Sequence, residues 1–205
     1  MRALLILNPK GGSGKTTLAT NIAGALAAGG EDVELLDLDR QKSATQWLAR
    51  RPPGLPAIRL MAEHQGSEKK SGWLVIDSPA ALHGKNLDYV LRLVHRVLVP
   101  VAPSLFDIQA SRDFLHDLVE EKAVRKGKTF VGVVGMRMAP RTRAAVTLEG
   151  FLRDLGLPVL GYLREAQNYV NAAFEGKTLF DLPPSQSEID RAQWVALLDW
   201  LRQGA

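Results

Sequence analysis

The chain has 205 residues, 46% hydrophobic and 23% charged, with no cysteine and a net charge of +4. That length suits one domain, spanning 1–205, with a sizeable core; the lack of cysteine excludes disulfides and cysteine-held clusters or zinc, and suits a reducing cytoplasm. No apolar stretch approaches the roughly 20 residues of a membrane span, and because the first expected strand begins almost at the N-terminus, no signal peptide is expected.

The run Ala3-Leu4-Leu5-Ile6-Leu7 reads as a strand buried on both faces. Asn8-Pro9-Lys10-Gly11-Gly12-Ser13-Gly14-Lys15-Thr16-Thr17 follows, and from Leu18 a helix is expected to run to about Ala28, where Gly29-Gly30 stops it. A strand, a glycine-rich loop and a helix N-terminus make an anion site, because free N–H groups point outward and the helix dipole favours negative charge. The glycines let the backbone wrap a phosphate closely. Lys15 is the candidate for the β- and γ-phosphates, and Thr16 for a Mg²⁺ ligand. The strict phosphate-loop pattern wants glycine at position 9, where this chain has Pro9, preceding an additional lysine, Lys10. The bland alternative is a glycine-rich turn before a helix.

Val33-Glu34-Leu35-Leu36-Asp37 reads as the second strand, ending in Asp37-Leu38-Asp39 ahead of a helix that begins near Ser43. Acidic residues at the C-terminal end of a parallel strand face the ligand crevice, although Asp39 could simply cap that helix. Residues 51–72 read as a loop, a short edge strand at Ile58-Arg59-Leu60-Met61 and an exposed connection in which His64 is expected to be solvated. Trp73-Leu74-Val75-Ile76-Asp77 is an apolar strand tipped by a carboxylate, the Walker B arrangement, with Asp77 beside the Mg²⁺ site. His83 is expected at the surface. Further elements are a helix from Asn86 to Val94, a strand at Arg96–Val101, a long helix from Phe106 to Lys126 and a strand at Phe130–Val134. A loop at Met136–Pro140 leads to a helix from Thr142 to Leu155, a strand at Val159–Leu163, a short helix near Tyr169–Glu175 and a final helix from Glu188 to Arg202. This alternation implies an α/β fold, a doubly wound, mostly parallel sheet with helices on both faces. The final helix reads as one that closes the core, since a membrane-surface helix would carry more Lys and Arg on its polar face.

Charge is uneven along the chain. Residues 1–121 hold 14 basic and 14 acidic side chains, whereas 122–205 hold 12 and 8. Eight basic residues lie between Lys122 and Arg153 against Glu149 alone. A solvated surface is the ordinary reading, and a polyanion-binding face the sharper one.

Three segments carry a family resemblance: Lys10-Gly11-Gly12-Ser13-Gly14-Lys15-Thr16, Asp37-Leu38-Asp39-Arg40-Gln41, and Asp77-Ser78-Pro79. Together they resemble the deviant Walker A ATPases of the ParA/MinD family. Tyr169, Ala172, Gly176 and Lys177–Asp181 look like its small, single-domain branch. The resemblance implies a P-loop ATPase using ATP and Mg²⁺, with Lys10, Lys15 and Asp39 catalytic and Lys10, Gly11, Gly12, Ser13, Gly14, Lys15, Thr16 and Thr17 around the nucleotide. It implies metal ligation by Thr16 and Asp77 with Asp37 in support, Asp39 positioning the attacking water, and Lys10 reaching a second protomer's site in an ATP homodimer. It implies non-specific duplex DNA binding through Arg164, with Arg141, Arg143 and Arg191 as weaker candidates, and a small adaptor or cargo protein that stimulates hydrolysis. The expected role is partition or positioning of a plasmid, a chromosome region or an assembly such as a carboxysome, in the cytoplasm over the nucleoid. No helix-turn-helix segment and no lysine-rich tail are seen, so operon repression and membrane attachment are not expected. The alternatives are a metabolic P-loop synthetase or kinase, for which 51–85 offers few substrate residues, and a MinD-like membrane-associated division-site regulator.

Overall fold

The computed structural model describes residues 1–62, 71–80 and 82–203; His64 lies outside them. Seven strands form one sheet in the order β3-β2-β4-β1-β5-β6-β7: β1 (Arg2–Ile6), β2 (Val33–Asp37), β3 (Arg59–Leu60), β4 (Trp73–Asp77), β5 (Arg96–Val101), β6 (Phe130–Met138) and β7 (Val159–Arg164). Every pairing is parallel. The α/β doubly wound expectation holds.

The period of two along β1 sorts its side chains between two cores. Leu4 and Ile6 pack with Leu18 and Ile22 of helix α1 (Lys15–Ala28), while Ala3, Leu5 and Leu7 face Leu87 and Leu91 of α3 (Gly84–Leu91). On the α1 face lie Trp47 of α2 (Ser43–Leu48) and the chain's last helices. The other face is covered by α3, α4 (Leu105–Glu120), α5 (Lys122–Arg125) and α6 (Arg143–Asp154). After β1 the chain crosses to one face and after β4 to the other, so a crevice opens where these neighbouring strands end.

Three expectations need correction. The helix expected from Phe106 to Lys126 breaks at Glu121, which has an extended backbone (ψ 137°) between α4 and α5. The buried stripe Ile108, Ser111, Leu115, Leu118 would next reach Lys122, so continuation would bury a lysine; the break turns Ala123 inward instead. The final helix is two, α8 (Pro184–Ala192) and α9 (Val195–Arg202), following α7 (Gln167–Phe174) and a short 3-10 turn at Leu179–Asp181. Between them Trp194 is fully buried, its indole N–H donating to Tyr169 Oη at 2.9 Å with Phe180 edge-on at 5.8 Å. Leu197, Trp200 and Leu201 of α9 enter the core, in line with a core-closing helix. Thirdly, β6 runs on to Met138, through residues expected to be loop.

Candidate functional site

The phosphate-loop sequence spans the crevice between the ends of β1 and β4 and passes directly into α1, which begins at Lys15. Its shape is set by short-range chemistry. The Asn8 side chain, buried, donates from Nδ2 to the Pro100 carbonyl at 2.7 Å, and its Oδ1 accepts the Lys10 N–H at 2.7 Å. Gly12 and Gly14 have φ of 73° and 99°, a region that disfavours side chains. A Cβ on Gly14 would lie 2.7 Å from the Met136 methyl, so β6 packs directly beneath the loop.

Lys15 is buried and donates from Nζ to the carbonyls of Lys10 (2.9 Å) and Asn8 (3.1 Å). Burial pulls its ammonium below the usual lysine range, opposed by the carboxylates of Asp77 and Asp39. Thr16 Oγ1 donates to Asp77 Oδ2 at 2.7 Å. Asp77 is wholly inaccessible, and burial pushes its carboxyl up to about 7, against the Thr16 hydrogen bond and with Asp37 adding repulsion. Its other oxygen, Oδ1, is buried without a partner among the described residues, as is the Ser13 hydroxyl. Two orphaned oxygens beside an ammonium and a hydroxyl describe a place built for a charged guest.

Asp37 stands opposite Asp77 in the β2–β4 register. Its carboxylate accepts the Asp39 N–H (3.1 Å), the Thr45 N–H (2.8 Å) and the Thr45 hydroxyl (3.1 Å), so it secures the first turn of α2. Helix capping, the alternative considered for Asp39, thus falls to Asp37. Asp39 accepts the Gln41 N–H at 2.8 Å and lines the cavity. The Lys10 ammonium has no hydrogen bond or ion pair among the described residues. His83 is exposed at the start of α3 and is not among the cavity-lining residues.

Above the loop lies a cavity of about 530 Å³, bounded by Gly11 to Thr17, Asp39, Gln41, Ser43 and, across from them, Met136, Arg137, Leu163–Ala166, Tyr169 and Val170. The second wall was not assigned from sequence, because only sheet order brings the ends of β6 and β7 beside the loop. Mg²⁺ ordinarily takes one or two carboxylates and fills its remaining positions with phosphate oxygens and water. Among the described residues no cluster of three acidic, histidine or cysteine side chains forms a ready-made cage. The orphaned Asp77 Oδ1 and the adjacent Thr16 hydroxyl fit that sparser donor set.

The basic residues separate into two kinds. Arg164, at the tip of β7, has its Nε on the buried carboxylate of Asp190, which also accepts from Asn168 at 2.7 Å. Asp190 is fully buried within α8. Arg191 lies over the Phe180 ring at 5.4 Å, and Arg141 and Arg143 are exposed at the entrance to α6. At the opposite end of the sheet, before β5 and β6, Arg92, Lys122, Lys126 and Lys128 surround a cleft of about 330 Å³ floored by Ala123. Arg92 pairs with Asp88, whereas the three lysine ammonium groups have no ion pair among the described residues. No helix among those residues is long and apolar enough to cross a membrane.

Residues 4–179 match the CobQ/CobB/MinD/ParA nucleotide binding domain. The chain is 32% identical over 187 residues to the maintenance of carboxysome distribution protein A of Gloeobacter kilaueensis, covering 87% of this chain and 83% of that protein. It is 28% identical over 189 residues to the protein of the same name from Halothiobacillus neapolitanus, covering 87% of each. A putative plasmid partition protein from Borrelia burgdorferi B31, solved bound to AMPPNP, shares the fold with a TM-score of 0.74 at 19% identity, over 97% of this chain and 99% of that one.

Proposed function

The chain belongs to the CobQ/CobB/MinD/ParA nucleotide-binding family, whose ParA and MinD members are ATPases, and we propose that it is a Mg²⁺-dependent ATPase that works as a nucleotide-driven switch to position a cargo over DNA. Residues 1–205 act as one ATPase unit. The observation that carries the reading is the meeting of Lys15, Thr16 and Asp77 under a glycine cradle, with Asp77 Oδ1 and Ser13 Oγ lacking partners among the described residues.

The backbone N–H groups of Gly11 to Thr17 and the start of α1 bind the phosphates. Lys15 neutralises the β- and γ-phosphates, exchanging two loop carbonyls for phosphate oxygens. Thr16 and Asp77 hold Mg²⁺, with Asp37 fixing the neighbouring α2 turn. Held by those two residues, Mg²⁺ would supply positive charge against the phosphates. Asp39, on the cavity wall and free of any capping duty toward α2, orients the attacking water. Lys10, with no partner for its ammonium among the described residues of its own protomer, serves the site of a second copy and ties hydrolysis to an ATP homodimer.

Non-specific duplex DNA is the platform, contacted by Arg141, Arg143, Arg191 and Arg164 and by the lysine cleft at the other end of the sheet. The two relatives named for carboxysome distribution favour a protein assembly of that kind as cargo, linked through a small adaptor that stimulates hydrolysis. The place of action is the cytoplasm, at the nucleoid.

The test is anisotropy of two unrelated duplexes titrated with protein in ATP·Mg²⁺ and in ADP at several salt concentrations. Dimerisation puts two weak phosphate-binding patches on one body, so ATP should tighten binding to both duplexes equally, with a steep fall as salt rises. Nucleotide-independent affinity, or none with ATP, would shift the reading to a metabolic P-loop enzyme.

A further inference from the structure

We propose that Arg137 is a positioning residue of the phosphate loop, delivered to it by a bulge in β6; this rests on the nucleotide-binding reading above. Three observations converge on it. First, β6 contains an extra residue near its end. Gly135 stands opposite Tyr162 and Met138 opposite Arg164, so three steps along β6 match two along β7. The side chains record the slip: Val134 and Met136 lie in the α1-side core, yet Met138, an even step further, lies in the opposite one. Bulges re-aim side chains and are frequent beside active sites.

Second, Arg137 takes φ of 50°, a left-handed backbone for which glycine is the usual choice. The chain places a long cationic side chain there instead. Held in neither core, Arg137 is exposed yet lines the nucleotide cavity.

Third, its guanidinium donates to the carbonyl of Gly12, itself at φ 73°. The Gly12 carbonyl and the Ser13 N–H belong to one planar trans peptide and point in opposite directions. Fixing the Gly12 carbonyl on Arg137 therefore fixes the direction of the Ser13 N–H as well. Ser13 lines the cavity, and its buried hydroxyl has no partner among the described residues. A phosphate loop binds by presenting its N–H groups to the anion, which leaves its carbonyls needing other donors. Lys15 holds the carbonyls of Asn8 and Lys10 only until it turns to phosphate, whereas Arg137 holds that of Gly12. Met136, one residue earlier, supports Gly14 from below. The end of β6 therefore sets the middle of the loop, as Asn8 sets its beginning.

Arg137→Gly suits the test because glycine keeps the backbone conformation while removing the donor. Fluorescent ADP and ATP titrations, steady-state kinetics and thermal unfolding are measured on the full chain. We expect the Kd for both nucleotides and the KM for ATP to rise about tenfold, the scale of one charge-assisted hydrogen bond. The kcat at saturating ATP should stay within about twofold, because the chemistry uses other groups, and Tm should not fall. Arg137→Lys, which keeps a cationic donor, should recover much of the lost affinity. Nucleotide affinity within twofold of the parent in Arg137→Gly would overturn the inference while leaving the ATPase reading intact. So would a lysine variant no better than glycine, or a loss of affinity accompanied by a fall in Tm, the mark of a merely structural residue. A parent chain that binds no nucleotide would end the ATPase reading itself, and this inference with it.

Discussion

The molecule gathers positive charge at both ends of its sheet, and the two ends are built in opposite ways. At the strand C-termini, Lys15 is buried, bonded to two carbonyls and set against Asp77 and Asp39. At the strand N-termini, Lys122, Lys126 and Lys128 stand around a shallow cleft with no ion partner among the described residues. A buried cation costs desolvation and stays only where geometry rewards it, so the first arrangement suits one small polyanion in one pose. Solvated lysines hold little geometric information, but their field reaches about a Debye length, which suits a long polyanion in many poses. The buried cation and the solvated lysine cluster thus sit at separate ends of one protomer.

The largest expected effect tests the precise end. Lys15→Gln should reduce ATP hydrolysis and nucleotide affinity by at least about a hundredfold, since a pre-positioned charge is lost from the phosphate site. The stability of the free chain should change far less, and binding at the lysine cleft to DNA in the absence of nucleotide not at all. Radiolabelled phosphate release and a nucleotide-free DNA titration measure the two sides. Hydrolysis at the parent rate would dissolve the contrast.

Asp77 sharpens the same end through pH. Its carboxyl ionises at about 7 when folded and near 3.8 when free, chiefly because of burial. Between these values the folded chain keeps a proton that the unfolded chain has released. Stability from this group therefore falls as pH rises from about 4 to about 7, and stays low above. Asp77→Asn removes the buried charge. Without metal or nucleotide it should be more stable than the parent at pH 8, by a few kcal/mol at roughly 1.4 kcal/mol per pH unit, and equal to it near pH 4. Denaturant unfolding at the two values measures this. The same variant should lose Mg²⁺-dependent ATP binding, so a site that destabilises the empty fold is the one the ligand needs.

Much of this end was legible in the sequence, because its chemistry is local. Glycines, Lys15 and Thr16 are consecutive with a strand before and a helix after, and Asp37 and Asp77 each terminate an apolar run. The rest depended on packing between distant segments. Nothing near Arg137 signals a bulge; its role arises from the register of β6 on β7 and the path of a loop 125 residues earlier. The break at Glu121 follows from what the stripe Leu115, Leu118 would bury next, a question the charge pattern posed but did not answer. Asp190 precedes Arg191 in a polar stretch, yet it is buried because Arg164 and Asn168 arrive from β7 and α7. Arg92 joins the lysine cleft only because α3 packs against α5, with Thr129 bonded to the Leu91 and Val94 carbonyls.

The smallest effect concerns the diffuse end, where the choice of residue decides whether the test is clean. Arg164 is the target that the sequence suggests, but its guanidinium partners the fully buried Asp190. Arg164→Glu would set a second carboxylate against that one and lower Tm, so weaker DNA binding would not identify a phosphate-binding residue. Lys126 and Lys128 carry no such obligation among the described residues. The double variant Lys126→Glu/Lys128→Glu should keep the parent Tm within a degree or two, since exposed charges contribute little to stability. It should also keep ATP affinity and ATP-driven dimerisation, which the proposed function assigns to Lys15 and Lys10 at the other end of the sheet. DNA affinity should drop several-fold on every sequence alike. The slope of log affinity against log salt should become shallower by about 0.9 for each phosphate that the bound protein no longer neutralises. An unchanged slope together with unchanged affinity would show that the cleft meets no phosphate, leaving Arg141 and Arg143 at the entrance to α6 to bind the polyanion and both functions at one end of the sheet.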